Sequence, residues 1–135
     1  MADTLHLQVA TPERQLVDEA VARVEIPGKD GYLGILPEHA PLLSELGAGV
    51  LSYASDSQEK FVAIDGGFLE VLENEVRVLA EHAEFGRDIN FEQSRQQVAE
   101  AQAAVDRPAA DANSELALRK LAAAQARLDA AERAR

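Results

Sequence analysis

Cysteine is absent from these 135 residues. Its absence excludes disulfides and thiolate metal ligands, and fits a reducing compartment. Tryptophan is absent too, and aromatics supply only 4% of the residues, so a core has to be built from aliphatic side chains. No apolar run approaches the ~18 residues of a membrane-spanning helix. The opening Met-Ala-Asp-Thr-Leu-His has neither the basic start nor the apolar stretch of a signal peptide. Positive charge is also scarce: 13 Lys and Arg stand against 24 Asp and Glu, for a net charge of −11. That balance argues against nucleic-acid binding, which needs a basic footprint, and against adhesion to an anionic lipid surface. The expectation is a chain with no nucleic-acid partner and no direct insertion into a membrane.

What the chain does have is an apolar fraction of 47%, enough for one or two small domains. The charge is uneven: residues 1–87 carry 16 acidic and 6 basic side chains, residues 88–135 carry 8 and 7. All eight glycines lie before residue 87, and alanine dominates after residue 98. This shift predicts a domain boundary near Gly86–Asn90. Before it, short alternating runs separated by turn residues predict strands: Leu5–Val9, Leu16-Val17, Ala22–Ile26, Val50–Ala54, Phe61–Ile64, Phe68–Leu72 and Val76–Leu79. Ala22, Val24 and Ile26 are placed on one face. Asp65-Gly66-Gly67 and Glu73-Asn74-Glu75 both read as hairpin turns. Many short strands with frequent turns predict a β-sandwich or barrel.

The stretch from Gly31 to Gly49 organises this half. Leu33, Ile35 and Leu36 can enter a core as a strand. Pro37 ends it, because proline donates no ladder hydrogen bond. Pro41 keeps Ala40 out of the helical region. A strand, a rigid apolar loop and another strand are expected.

After residue 88 the periodicity changes to helical. Phe91, Ser94, Val98, Ala101 and Val105 form one stripe, with Asn90 as N-cap and Gln93 as the third residue of a loose capping box. Pro108 stops that helix, and Asp111 to Ser114 can cap the next. Ala117, Leu121, Ala124, Leu128 and Ala131 form a second stripe. Alanine favours both helices but makes thin stripes, so the hairpin is held by only a few kcal/mol, at ~25 cal/mol per Å² buried. Such a hairpin suits a switch; a permanently folded hairpin fits the same residues.

Gly31-Tyr-Leu-Gly-Ile-Leu-Pro-Glu-His-Ala-Pro-Leu-Leu resembles the G-x-[LF]-G-[IV]-x-x-x-H-A-P-L-L signature of the epsilon subunit of bacterial F-type ATP synthases, whose mitochondrial counterpart is called delta. Gly66-Gly-Phe-Leu-Glu-Val71 resembles that family's S-G-G-[FI]-L-E-V hairpin, with Asp65 in place of Ser. Asn74–Ala80 matches its following strand. The resemblance implies an α+β protein, an N-terminal antiparallel β-sandwich (1–87) followed by an antiparallel helical hairpin (88–135). It implies a non-catalytic rotor subunit in the central stalk of a proton-translocating ATP synthase, on the cytoplasmic face of the bacterial inner membrane. The sandwich would bind the gamma subunit and the polar loops of the c-ring. The regulatory hairpin would extend along gamma and suppress ATP hydrolysis by meeting an acidic loop of the beta subunits.

Site residues follow from both readings. The tip Pro37-Glu38-His39-Ala40-Pro41, with Tyr32, is the candidate surface for c-ring and gamma; alternatively it only covers the core. Arg119, Lys120, Arg127 and Arg133 lie in the one basic segment, Ser114–Arg135, where five cations face three carboxylates. They are candidates for the regulatory contact; a solvated helix face is the simpler reading. Many bacterial members bind ATP through [IL]-D-x-x-R-[AS] at the first helix start. Here Ile89-Asn-Phe-Glu-Gln-Ser94 carries Asn90 for the acid and Gln93 for the arginine, which predicts that nucleotide binding is very weak or absent. Arg95, about 200° further round the helix, is a poor substitute. No cofactor is expected. His6, His39 and His82 show no ligand spacing, no phosphate loop or nucleophile elbow is present, and no acid–base constellation stands out. The alternative function is a stand-alone β-sandwich ligand-binding module with a helical adaptor.

Overall fold

A computed structural model describes residues 3–108 and 114–135. Its elements are β1 (Leu5–Ala10), β2 (Gln15–Val21), β3 (Arg23–Gly28), β4 (Gly31–Ile35), β5 (Leu42–Glu45), β6 (Ala48–Ser55), β7 (Gln58–Leu72), β8 (Glu75–Phe85), a 3-10 turn at Gly86–Asp88, α1 (Phe91–Val105) and α2 (Ser114–Arg133).

The strands form a two-layer sandwich in which β7 and β8 run through both layers. The first half of β7 pairs β6 as far as Asp65, and the second half pairs β5 from Phe68. One layer holds β4, β3, β6 and the adjoining halves of β7 and β8. The other holds β5, the remaining halves, β1 and β2. Between them lies an aliphatic core that includes Leu5, Leu7, Val9, Ile26, Leu51 and Leu69, all almost fully buried. Tyr53 is the one aromatic side chain among its fully buried residues, and burial pushes its phenol up to about 12.

Several expectations need correction. Asp65-Gly66-Gly67 is no hairpin: β7 stays paired to β8 across it, Asp65 opposite His82 and Gly67 opposite Ala80. Gly66 (φ 73°) and Gly67 (φ 117°) bend the strand at the corner of the sandwich. A Cβ on Gly67 would lie 2.0 Å from the Leu79 carbonyl, so glycine serves close backbone approach rather than chain reversal. The bend's backbone groups find partners in Gly47 O and Leu46 N. Glu73-Asn74 is a true two-residue hairpin turn, with positive φ at both positions. The sandwich is also not purely antiparallel, because β1 and β8 run parallel from His6 opposite Glu75 to Ala10 opposite Leu79. Ala22 is exposed between β2 and β3, and the preceding Val21 is the buried residue there. Leu36 is exposed beyond the end of β4. The strand expected after the loop is Leu42–Glu45.

The helices follow their stripes closely. Asn90 caps α1, its Oδ1 accepting from Gln93 N at 2.9 Å. α1 ends at Val105, before Pro108. The proposed cap of α2 falls largely outside the described residues. α2 buries a second face not foreseen. Ala126 and Ala130 join the expected stripe residues Ala117 and Ala131 as its buried positions. Ala130 and Ala131 cluster with Val50, Ala63 and Ile89, half-buried Phe61 and Phe91 packing alongside. This is why β6 is buried on both faces: Leu51 and Tyr53 point into the core, Val50 toward α2. The hairpin is docked on the sandwich, and the approach is tight enough that a Cβ on Gly86 would sit 2.2 Å from Ala130 O.

Candidate functional site

The loop after β4 is held at one end of the sandwich. Leu36 to His39 form a turn, His39 N donating to Leu36 O at 3.1 Å, with Pro37 in the second position and Glu38 at φ 70° in the third. That is a type II turn, which prefers glycine where Glu38 stands. The strained residue is held by the β7–β8 hairpin: Asn74 Oδ1 accepts from Glu38 N at 2.7 Å, and Asn74 Nδ2 donates to Glu38 Oε1 at 3.3 Å. His39 Nδ1 contacts Ala40 O at 2.6 Å. A carbonyl only accepts, so Nδ1 is the donor in this contact. Leu36, Leu43 and Leu72 are exposed around this end, Leu43 to 77%. The result is a rigid, apolar-rimmed tip with one polar centre.

Tyr32 does not belong to the tip. It lies at the far end of β4, over Gly49, and its hydroxyl accepts from Val50 N at 2.9 Å. The β3–β6 ladder covers only Ser52 to Ala54, so Tyr32 satisfies a backbone donor that the departing strand leaves behind. Asn74 was readable in sequence only as a turn residue; its role in holding Glu38 carried no signal of its own.

Phe68 and Leu79 are opposite one another in the ladder and each about three-fifths exposed. With Leu43 on the neighbouring strand they give the second layer an apolar patch on its outer face. Beside it His6 bridges two carboxylates, Asp18 (2.5 Å) and Glu75 (3.3 Å), tying β1 to β2 and β8. The hydrogen bond to Asp18, then that to Glu75, hold the His6 pKa above its ordinary 6.5.

The basic residues of α2 are in different situations. Arg127 reaches Glu84 of β8 through both Nε and Nη2 at 3.1 Å, and Gln97 of α1 through Nη1. Arg133 lies over the Phe61 ring at 4.6 Å. Arg119 and Lys120 line an open cleft of about 640 Å³ between α2 and the strand corner, shared with Lys29, Asp65 and Glu81. Docking therefore half-buries Arg127, while Arg119, Lys120 and Arg133 stay at the surface, Arg133 resting on Phe61. At the α1 start Asn90 is used as a cap, and Arg95 pairs with Glu92 at 3.4 Å on the exposed side. No cluster of His, Asp and Glu suited to a metal ion exists among the described residues, and no described helix is long and apolar enough to cross a membrane.

Residues 4–86 match the family model described as ATP synthase, Delta/Epsilon chain, beta-sandwich domain. The ATP synthase epsilon chain of Solibacter usitatus is 44% identical over 133 residues, covering 98% of this chain and 99% of the relative. The ATP synthase epsilon chain of Carboxydothermus hydrogenoformans is 46% identical over 95 residues, 70% of this chain and 71% of that one. A chain in the Euglena gracilis mitochondrial ATP synthase, solved with its c-ring, superposes with a TM-score of 0.84 at 23% identity, over 98% of this chain and 83% of its own length. One in the central stalk and c-ring of Tetrahymena thermophila mitochondrial ATP synthase gives 0.58 at 12% identity, over 96% and 95%. A 44% identity to an ATP synthase epsilon chain along 98% of this chain disfavours a stand-alone binding module. A sandwich with this signature loop, carrying a docked helical hairpin and aligned end to end with such relatives, belongs to the ATP synthase epsilon chain family.

Proposed function

We propose that this chain is a rotor subunit that couples gamma to the c-ring through the sandwich, residues 1–87. The observation that supports it best is the locked tip. Pro37–Pro41 is fixed by Asn74 and rimmed by exposed leucines, and rigidity of that kind suits a surface that must transmit torque. In this reading the tip meets the polar loops of the c-ring. The adjacent patch of Leu43, Phe68 and Leu79 takes gamma. The subunit then sits peripherally, on the cytoplasmic face of the bacterial inner membrane.

Residues 88–135 form the regulatory part. On extension α2 leaves the sandwich, and Arg119, Lys120, Arg127 and Arg133 meet an acidic loop of the beta subunits. Moving such a hairpin from 1:99 to 99:1 takes ~5.5 kcal/mol of differential interaction, so several of these cations must act together. α2 buries only alanines in the seam it leaves, Ala126, Ala130 and Ala131 among them, which keeps the transition within reach. The test is a complex assembled with residues 88–135 deleted. It should still assemble with gamma and the c-ring but hydrolyse ATP faster. Unchanged hydrolysis removes the regulatory half, and failure of the sandwich to capture gamma removes the coupling half.

A further inference from the structure

On the outer face of the second layer, charged side chains of alternating sign run across four strands. Asp18 of β2 meets His6 Nε2 at 2.5 Å, and His6 Nδ1 meets Glu75 of β8 at 3.3 Å. Arg77 lies 3.9 Å from Glu75 and 3.8 Å from Glu70 of β7. Strand register sets this chain up. His6 stands opposite Glu75, and Arg77 opposite Glu70. Asp18 is the diagonal neighbour of His6, two residues from its partner Ala20.

The chain is complete in one protonation state only. Both ring nitrogens of His6 face carboxylate oxygens, which accept and do not donate. Only the charged imidazole has an N–H for each. Asp18 from β2 and Glu75 from β8, backed by Arg77, are the charged groups that face the ring. Gln8, its outward neighbour on β1, is neutral and accepts from Arg77 Nε at 3.3 Å. The three carboxylates and Arg77 keep their charges around neutral pH, so His6 is the one link that switches there. Its hydrogen bonds, first to Asp18 and then to Glu75, place the switch above pH 6.5.

The other end of the chain lies inside the apolar patch. Glu70 stands opposite Leu43 of β5, and the next outward residue of β7 is Phe68. A partner seated on Leu43, Phe68 and Leu79 covers Glu70 and Arg77, where water screens their charges less. Each covered carboxylate then needs a cation beside it. With His6 neutral, Glu70 and Glu75 compete for one guanidinium, and Asp18 has none. We propose that His6 is a proton-operated link in the seat of gamma. Charged, it completes the chain and firms the seat; neutral, it leaves three carboxylates to one cation and gamma is held less tightly. The inference rests on the rotor reading, since gamma is the occupant.

The test captures the full chain on immobilised gamma subunit and follows the Kd as pH rises from 6.5 to about 9. Affinity should fall about two- to fivefold, the scale of one exposed ion pair, in step with the His6 ring titration read by NMR. His6→Gln should remove that fall. Asp18→Asn is the second variant. It takes away the larger cause of the raised His6 pKa, so the ring titration and the fall in affinity should both move down toward pH 6.5. A His6 that served packing alone would shift neither midpoint. Wild-type affinity that ignores the ring titration, or a fall that persists in His6→Gln with native spectra, overturns the link. Capture of no gamma at any pH is a different failure: it overturns the rotor reading, and this inference with it.

Discussion

Replacing Gly86 with alanine should undock the hairpin while leaving the sandwich folded. The added methyl would lie 2.2 Å from Ala130 O and 2.7 Å from Ala130 C, both backbone atoms of α2 that cannot rotate away. Restoring an ordinary contact near about 3.5 Å requires α2 to retreat by roughly 1.3 Å. A gap of even ~0.5–1 Å forfeits a quarter to a half of each dispersion contact across the seam. The contacts at stake are those of Ala130 and Ala131 with Val50, Ala63 and Ile89. Overpacking of this kind costs ~1–3 kcal/mol, which lowers the docked-to-undocked ratio by ~5- to 150-fold. Hydrogen exchange of α2 amides reads that ratio directly. They should exchange faster by the same factor, with β1 and β8 amides unchanged. Gly34→Ala is the control, because a methyl there meets nothing within 4 Å. Unchanged α2 exchange in Gly86→Ala would refute the claim that this close approach sets the docking equilibrium.

Arg127→Gln removes the clip to Glu84; with both side chains about one-third exposed, the loss is at most ~1 kcal/mol, seen as up to ~5-fold faster α2 exchange. Tyr32→Phe leaves buried Val50 N without its acceptor and should cost about 1 kcal/mol in denaturant melts, with the tip unaffected. Asn74→Ala removes two hydrogen bonds that hold Glu38 in its unfavourable turn position; NMR order parameters should drop across residues 36–41 but not in β6. His6 has its folded pKa raised by Asp18 and Glu75, so the stability it contributes is complete below pH 6.5 and is lost as pH rises through the raised value. Denaturant melts stepped upward from pH 6.5 should show that loss in the wild type, and His6→Gln should remove that part of the slope.

The strands and helices were largely legible because their periods differ, and the Asn90 cap announced itself through the residue type that accepts a backbone N–H. The corner at Gly66-Gly67 was not. Two glycines permit both a reversal and a bend, and only the Leu79 backbone lying against Gly67 decides between them. The β1–β8 parallel pair was hidden because it joins the first strand to the last, with no local signal at either. The sandwich-facing side of α2 was hidden for another reason: in an alanine-rich helix, Ala126 and Ala130 look no different from the alanines left in solvent. In the tip, Pro37 and Pro41 marked a rigid loop, but its attachment to Asn74 depends on chain folding and not on spacing. Tyr32 was drawn to the tip by proximity in sequence, whereas β4 carries it to the opposite end.

The parallel pairing of β1 with β8 bears on how the protein is made. His6 and Glu75 are 69 residues apart, so the first strand finds its seat only once the last has emerged from the ribosome. Until then β1 has β2 alone as a neighbour, and an isolated two-stranded ribbon is barely stable in water. Closure of the sandwich therefore waits on a pairing between its two most distant strands, the long-range kind of contact that slows folding.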